Sequence, residues 1–449
     1  MLDIELLREY IEHGQYAKIR TEIIEVNEAD IAAMLEELEL PGADLIKVFR
    51  MLPKAIAADV FSFLPIEMEQ MIITSLTDRE AANIIDNLYA DDAADLMEEM
   101  PANVVKRLLA QTTPETRRDI NHLLQYPEDS AGSVMTVEFV DLKEDYTVDQ
   151  AIERIRRVGI DKETINTCYV TNQHRKIRGT ISLRMLLLSR PSAKIGDLME
   201  ENVITVSTKM DQEEVAKLFQ KYDFDAMPVV DSENRLVGII TVDDVMDIIE
   251  QEATEDIEKM AAITPTDKSY MKTSVFETCK SRIPWLLFLM LSSTFTSKII
   301  TSYEEALSAY TVLTAYIPMF MGTGGNAGGQ TSVTIIRSIS LGEVEFKDIF
   351  RILWKEIRVA VVCGIILSVT NFAKLMLLDH VTLLVAFVMC LTLVVTVIVA
   401  KIVGCILPLL AKQIGLDPAV MANPFITTIV DAVSLLIYFQ IATRMLGIG

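Results

Sequence analysis

Cysteine is scarce and scattered in this chain of 449 residues: Cys168, Cys279, Cys363, Cys390 and Cys405 form no CxxC pair and follow no regular spacing. That excludes a zinc ribbon, a redox dithiol and a disulfide framework, and leaves five ordinary thiols, three of them in apolar segments. Histidine is scarcer still, with four residues, so a site for soft metals has little imidazole to draw on. Basic charge is short as well: 41 Lys and Arg stand against 64 Asp and Glu, a formal net charge of −23. A deficit of this size argues against nucleic acid and anionic membrane surfaces as partners and in favour of cations. The opening MLDIELLREYIEHG is acidic and amphipathic, unlike a secretory signal. The soluble part of the chain is therefore expected in the cytoplasm.

What is present is unevenly spread. Residues 281–449 carry 11 Lys and Arg and 9 Asp and Glu, whereas residues 1–280 carry 30 and 55. Such asymmetry predicts two regions in different surroundings: a strongly acidic soluble part, and a nearly neutral apolar part long enough for several membrane spans. Within residues 1–130 a short repeat is punctuated by Leu52-Pro53, Leu64-Pro65, Leu76-Thr77, Leu88-Tyr89 and Met100-Pro101, then by Thr113-Pro114 and Tyr126-Pro127. Each unit offers about two turns of helix, too little to bury a face alone, so stacked units sharing a core are expected: an all-α superhelix.

Residues 131–250 change character. The run from Tyr169 to Gly179 reads as strand, turn and strand, and Pro228 to Gly238 repeats it. A short strand and a helix follow each glycine, Met135-Thr136 and Met199-Glu200 open the units, and helices fit 148–158 and 213–222. This duplicated α/β unit resembles a tandem pair of cystathionine-β-synthase (CBS) domains, which act as regulatory modules. A polar connecting helix is expected over 251–280. Five apolar segments follow, near 284–302, 309–337, 357–378, 381–410 and 419–446. Arg337, Lys347, Arg351, Lys355 and Arg358 fall between the second and third, which places that side and the N-terminal region in the cytoplasm and the C-terminus outside.

The second apolar segment contains Pro318 and then GTGGNAGGQT, residues 322–331. Gly324-x4-Gly329-Gln330-Thr331 falls one residue short of a phosphate-binding loop, Gln330 stands where the lysine would be, and the setting is a membrane helix, so nucleotide binding is rejected there. The glycines permit close helix packing, and after Pro318 they also predict a locally unwound helix whose carbonyls, with Asn326, face a polar cavity. In the last segment Asp431 lies about 20 Å along a helix of ~1.5 Å rise, near mid-membrane, where an acid costs a few kcal/mol and normally serves a polar path. Asn423 is eight residues before it, close to the same face, and Asp417 reads as a helix cap. The inventory is all oxygen, which suits a hard cation such as Mg2+. Asp91, Asp92 and Asp95, then Asp211, Glu213, Glu214, Asp223 and Asp225, then Asp243, Asp244 and Asp247, and finally Glu250, Glu252, Glu255, Asp256 and Glu258 form further acidic groups that the single Lys259 cannot neutralise, and inter-domain divalent sites are the favoured reading.

PMFMGTGGNAGGQ, GLDPAVMANPFITTIVDAVSLLIY, YDFDAMPVVD, GIITVDDVMDIIEQEATEDI and YPEDSAGSVMT together resemble the MgtE family of bacterial magnesium channels, over the whole chain. The resemblance implies a helical N domain, a CBS pair, a connecting plug helix and a five-helix transmembrane domain (281–449), assembled as a homodimer in membrane lipid with one Mg2+ pore on the two-fold axis. It implies pore groups at Asp431, Asn423, Asn326, Gly325 and Gly328, and regulatory Mg2+ ligands at Asp91, Asp95, Glu213, Asp223, Asp244, Asp247, Glu252, Glu255 and Asp256. It also implies ATP at the CBS pair, which the residues themselves do not demand. One departure is Gly329, where the family usually has a second Asn. A feedback-gated Mg2+ channel, not an enzyme and not a nucleic-acid binder, is the expectation. Its rivals are a transporter for Mn2+ or Co2+, an intramembrane hydrolase using Asp431 and a scaffold for a basic partner.

Overall fold

The computed structural model describes residues 4–23, 26–54, 56–266, 270–271, 273–421 and 423–447; the side chains of Ala17 and Asn423 lie outside that set. Two units emerge, residues 1–249 and 250–449.

The first unit opens with ten short helices: α1 (Ile4–Glu12), α2 (Tyr16–Ile23), α3 (Glu28–Glu37), α4 (Gly42–Phe49), α5 (Ala57–Ser62), α6 (Ile66–Ser75), α7 (Asp78–Ile85), α8 (Ala90–Glu98), α9 (Ala102–Leu109) and α10 (Pro114–Leu123). From α6 onward the repeated punctuation sets one helix per unit. Pro65 and Pro101 precede α6 and α9 at the cap position, Thr77 caps α7 in a reciprocal box with Glu80, and Thr113 caps α10. No single helix could bury a face alone. Side chains such as Leu35, Phe61, Ile72, Ile85 and Leu96 join into one continuous buried core along the stack.

Two three-stranded sheets of the same plan follow. In the first, β1 (Asp141–Lys143) runs parallel to β2 (Thr167–Thr171), which pairs antiparallel with β3 (Ile177–Ser182). In the second, β4 (Val206–Ser207), β5 (Ala226–Val230) and β6 (Leu236–Thr241) repeat that order, and each central strand has its register shift next to the turn. Helices α11 (Val148–Val158) and α14 (Gln212–Tyr222) lie where the amphipathic period predicted them, α11 behind a Thr147/Gln150 capping box. Short α12 (Leu183–Leu188) and α13 (Ile195–Leu198) link the copies. The copies are interlocked at their repeated motif positions. A Cβ on Gly238 would meet Met135 Sδ at 2.6 Å, and one on Gly179 would meet Met199 Sδ at 2.7 Å, so each copy's opening methionine packs on the other copy's glycine.

Helix α15 (Val242–Met260) leaves β6 and ends at Met260, short of the expected 251–280 helix. Ala262 adopts φ +55° and Pro265 follows, which together stop it. The expected helix also includes 267–269 and 272, which lie outside the described residues. Helices α16 (Val275–Ser302), α18 (Val312–Ser340), α19 (Ile349–Leu377), α20 (Leu383–Gln413) and α21 (Asn423–Leu446) are 24 to 31 residues long, and short α17 (Glu304–Ala309) precedes α18. Four of the five combine the length and apolarity to cross a membrane. The exception is α18, where the glycine and polar run dilutes the hydropathy. It is nonetheless held centrally, packed against both α20 and α21.

Candidate functional site

The glycine run does not unwind. Helix α18 is continuous from Val312 to Ser340 through Pro318 and all the glycines, which corrects the expected break. The glycines serve close packing: a Cβ on Gly324 would sit 2.6 Å from Ser434 Oγ, and one on Gly404 of α20 would sit 2.2 Å from the Gly328 carbonyl oxygen. Backbones that approach this closely gain dispersion contacts and leave no room for an unwound turn. Gly328 thus faces α20, and Asn326 is exposed on another face of α18.

Asp431 projects from α21 and is half-buried. Its Oδ1 lies 3.6 Å from where a Cβ on Gly325 would be, so the bare backbone of α18 forms one wall beside the carboxylate. Among the described residues neither a cation nor a hydrogen-bond donor is paired with Asp431. The Asn423 side chain lies outside the described residues. Asp417 behaves as a cap: its Oδ1 accepts the Ala419 N–H at 2.8 Å and starts the turn Pro418–Met421 that leads into α21.

A second site lies in the soluble unit. Asp91 and Asp92 on α8 and Asp244 at the start of α15 are all held above the ordinary carboxylate range first by burial, then by neighbouring charge: Asp92 and Asp244 act on Asp91, Asp244 and Asp243 on Asp92, and Asp243 and Asp247 on Asp244. Thr241 donates to Asp244 from both its hydroxyl and its amide. Asp95, exposed at the rim, is pushed up by its crowded flanks and by Glu98, Asp92 and Asp244. Three further acids, not marked out in the sequence, belong to this group. Burial, then Asp244, Asp243 and Asp92, push Glu163 up to about 8, and its Oε2 is buried with no hydrogen-bond partner. Burial, then Asp92 and Asp95, push Glu69 up to about 9. Glu138 adds charge beside Asp92 and Glu163 and accepts from the Thr136 hydroxyl and the Val137 amide. No lysine or arginine figures among the main influences on any of these groups. Among the described residues no three carboxylates converge tightly enough to hold a bare ion.

The other expected regulatory residues are dispersed. Glu213 pairs with Lys217 at 2.8 Å. Asp223 is exposed in the left-handed position that ends α14, and Asp247 is exposed on α15. Glu252, Glu255 and Asp256 follow on α15, half-buried. Lys259 bridges Glu255 at 2.6 Å and Asp417 at 2.7 Å, and Met260 packs beside Ile336 and Ala419.

Within the first unit, a cavity of about 440 Å3 opens between the CBS copies, lined by Val137, Phe139, Val158 and Leu236 with Asp141, Arg154, Lys162, Thr171 and Arg175. Arg154 is held by Asp141 through both the side chain and the carbonyl, and Phe139 stands edge-on to Tyr169. An apolar slot with three cations suits a ligand with a flat base and phosphates. The sequence pattern gave no hint of this lining beyond the basic turn His174-Arg175-Lys176.

Glu356, read as part of the basic loop, lies inside α19 and pairs with Lys401 of α20 at 3.3 Å. Lys401 was legible in principle, as the single cation in the apolar run 383–411.

Three family models match: a divalent cation transporter over residues 317–441, the MgtE intracellular N domain over 26–129 and a CBS domain over 195–251. The magnesium transporter MgtE of Thermus thermophilus is 37% identical over 444 residues, 98% of each chain. That of Bacillus subtilis is 34% identical over 429 residues, 93% of this chain and 94% of its own. A crystal structure of the cytosolic domain of the Mg2+ channel MgtE in complex with ATP is 37% identical, with a TM-score of 0.52, over 55% of this chain and 100% of that one.

Proposed function

The chain belongs to the MgtE family, a family of transporters and not of enzymes, and from that premise we propose that it carries Mg2+ across the inner membrane through a path on which Asp431 is the selecting group. The observation that carries this reading is a half-buried carboxylate that has no partner among the described residues and is set against the bare backbone of Gly325. A charge so placed is tolerated when water and a passing cation compensate it. Two copies of the chain on a two-fold axis would bring two Asp431 carboxylates to one hydrated divalent ion, with the bare backbone of Gly325 beside each carboxylate; Gly328, packed against α20, takes no part. Apolar side chains exposed on α16 and α19, such as Leu287, Phe295, Ile366 and Val369, supply surface for lipid and for a second protomer. The N-terminal unit lies in the cytoplasm and the C-terminus outside.

Regulation follows from the acidic cluster. Unit charges 4 Å apart repel by ~4 kcal/mol at an effective dielectric of ~20, so Asp91, Asp92, Asp95 and Asp244 with their neighbours destabilise their own packing when cytoplasmic Mg2+ is low. Ions bridging them reverse the sign, and Asp223, Asp247, Glu252 and Asp256 extend the acidic surface for weaker sites, whereas Glu213 and Glu255 are held by Lys217 and Lys259. The ions shift the equilibrium by their differential affinity for the compact form. α15 is the element through which that form closes the path, because its C-terminal end is already anchored at Asp417 and Ala419, directly ahead of α21. The cavity between the CBS copies is the proposed place for ATP, with Arg154, Lys162 and Arg175 toward its phosphates and Phe139 beside its base.

The deciding experiment is Mg2+ uptake by Asp431→Ala and Asp431→Asn. Both are expected to fall by more than about 100-fold, equivalent to ~2.7 kcal/mol of lost barrier stabilisation. Uptake at the parental rate in both variants would remove Asp431 from the path. Gating is tested apart from that, by limited proteolysis of residues 1–270 across Mg2+ concentrations, and identical cleavage at every concentration would sink it.

A further inference from the structure

Lys401 is 7% exposed within a helix that meets membrane-span criteria. Its Nζ donates to Thr331 Oγ1 of α18 at 2.9 Å and to Glu356 Oε2 of α19 at 3.3 Å. Thr331 donates to the same carboxylate oxygen at 3.1 Å. Three helices are thus joined by one closed polar triangle. The helices that carry it also contribute to two buried apolar clusters, one with Ala360, Val397 and Ala400 and one with Ile335, Cys405 and Leu409. An ion pair in such a place adds little net stability over apolar residues of equal volume, and its best-attested use is to fix register.

Register needs fixing here. One turn from Thr331 on α18 is Gly328, and one turn from Lys401 on α20 is Gly404. These two glycines cross with backbone against backbone, and a crossing without side chains offers nothing that interlocks against sliding. One further turn along α18 is Gly325, whose backbone lines the Asp431 carboxylate. Positions 325, 328 and 331 lie three apart on one rod, so an axial shift at Thr331 reaches Gly325 undiminished.

We propose that Lys401 and Glu356 act as positioning residues that clamp Thr331, set the axial position of α18, and thereby fix the gap between Gly325 and the carboxylate of Asp431 that the transported cation must fit. The proposal rests on the reading of Asp431 as the cation-facing group. A gap set in this way discriminates by ion size and hydration, so the clamp acts on selectivity and apparent affinity as well as on the amount of folded protein.

The test uses the full chain, in cells lacking other Mg2+ import, with uptake measured against Mn2+ and Co2+ as competitors. Thr331→Val keeps the ion pair and the side-chain shape and removes the clamped hydroxyl. It is expected to raise the half-saturating Mg2+ concentration about tenfold, as sub-ångström misplacement commonly does, and to shift the Mn2+ and Co2+ competition ratios at parental membrane abundance. Lys401→Met and Glu356→Gln should shift both at least as far, and the exchange Glu356→Lys with Lys401→Glu should recover much of the loss. Unchanged half-saturation and competition ratios in Thr331→Val overturn the clamp, even if the single charge variants fail to reach the membrane. Loss confined to protein abundance and maximal rate across the set overturns it too. Asp431→Asn is run alongside: parental uptake there defeats the reading of the path, whichever way the clamp variants behave.

Discussion

Carboxylates are handled in opposite ways in the two units of this molecule. In the soluble unit, Glu69, Asp91, Asp92, Glu138, Glu163 and Asp244 crowd together with no covalent cation among their main influences. In the membrane unit, Glu356 is paired with Lys401, Asp379 with Lys374, and Asp417 with Lys259, which also holds Glu255. Among the described residues Asp431 is paired with no cation. The contrast teaches where a mobile cation acts. A charge that the chain neutralises with its own lysine is insensitive to Mg2+. A charge left without one among the described residues, whether in the soluble cluster or beside Gly325, is open to an ion. On the proposed function, sensor and conduit would share one device, an uncompensated carboxylate, and differ in how many are gathered and how deeply.

The contrast breaks most visibly at the buried pair. Removing one partner, as in Lys401→Met or Glu356→Gln, is expected to cost about 3–5 kcal/mol, because a charge is left buried and alone. Replacing both with apolar residues of similar volume should be near neutral or stabilising by about 1–4 kcal/mol. Thermal unfolding of the detergent-solubilised protein measures both. A single variant as stable as the parent means that the site is wet and that the distinction between compensated and uncompensated acids fails there.

The next effect is that of metal removal on the cluster. At ten times its dissociation constant, each bound ion adds about 1.4 kcal/mol to the form that binds it. Chelation should therefore speed amide exchange in α8 and the first turns of α15, with little change in α18 to α21. Asp92→Asn together with Asp244→Asn should do the reverse without any ion, slowing exchange in the chelated protein and flattening its response to Mg2+. Equal chelator sensitivity in α8 and in α20 would erase the proposed division of labour.

Protons are a weaker substitute for those ions. Glu163 is pushed up to about 8 and Glu69 to about 9, against roughly 4.3 for an unperturbed glutamate. Between those values the folded cluster holds protons that the unfolded chain has released. Its stability is therefore full below about pH 4.3 and falls as pH rises toward 8 to 9. In chelator, exchange in α8 should speed up from pH 6 to pH 8, and Mg2+ should suppress most of that slope. A slope of the opposite sign would mean that these acids are ionised and paired in the folded protein.

How far this was legible in the sequence depends on whether the decisive contact was local. α11 was readable to its ends because Thr147, Gln150 and its apolar period lie within one segment. The helix stack was readable because its starts are local: Pro65 and Pro101 stand at the cap position with the fixed φ that ends the preceding turn, and Thr77 caps its helix directly. The glycine run was misread as unwound because the outcome hangs on Gly404, 76 residues past Gly328, whose backbone closes on it. Acids could be enumerated but not sorted. Nothing near Glu69 or Glu163 in the sequence says that they meet α8 or α15, whereas Glu213 was indistinguishable from them until Lys217 was seen to hold it. Glu356 was hidden by its neighbours, since Arg351, Lys355 and Arg358 made its turn of helix read as a loop. The end of α15 at Met260 was marked by Pro265 but was outweighed by the polar, helix-favouring run around it.

The smallest expected effect lies at Lys259, where the two regimes meet. Its ammonium joins Glu255 to Asp417, and both partners are partly exposed. The pair is worth about 1 kcal/mol or less, a factor of about five in an opening equilibrium. In the parent protein, protection of residues 252–260 should therefore persist in chelator, because the cation holding this end of α15 is covalent. Lys259→Ala leaves Glu255 and Asp417 as two like charges facing each other. Protection there should then drop about fivefold in chelator and return on adding Mg2+, converting a permanent contact into an ion-dependent one. A variant whose protection is lost but not recovered by Mg2+ would show that these two carboxylates are too far apart, or too well hydrated, to be bridged. The sharing of one device between sensor and conduit would then stop short of this joint.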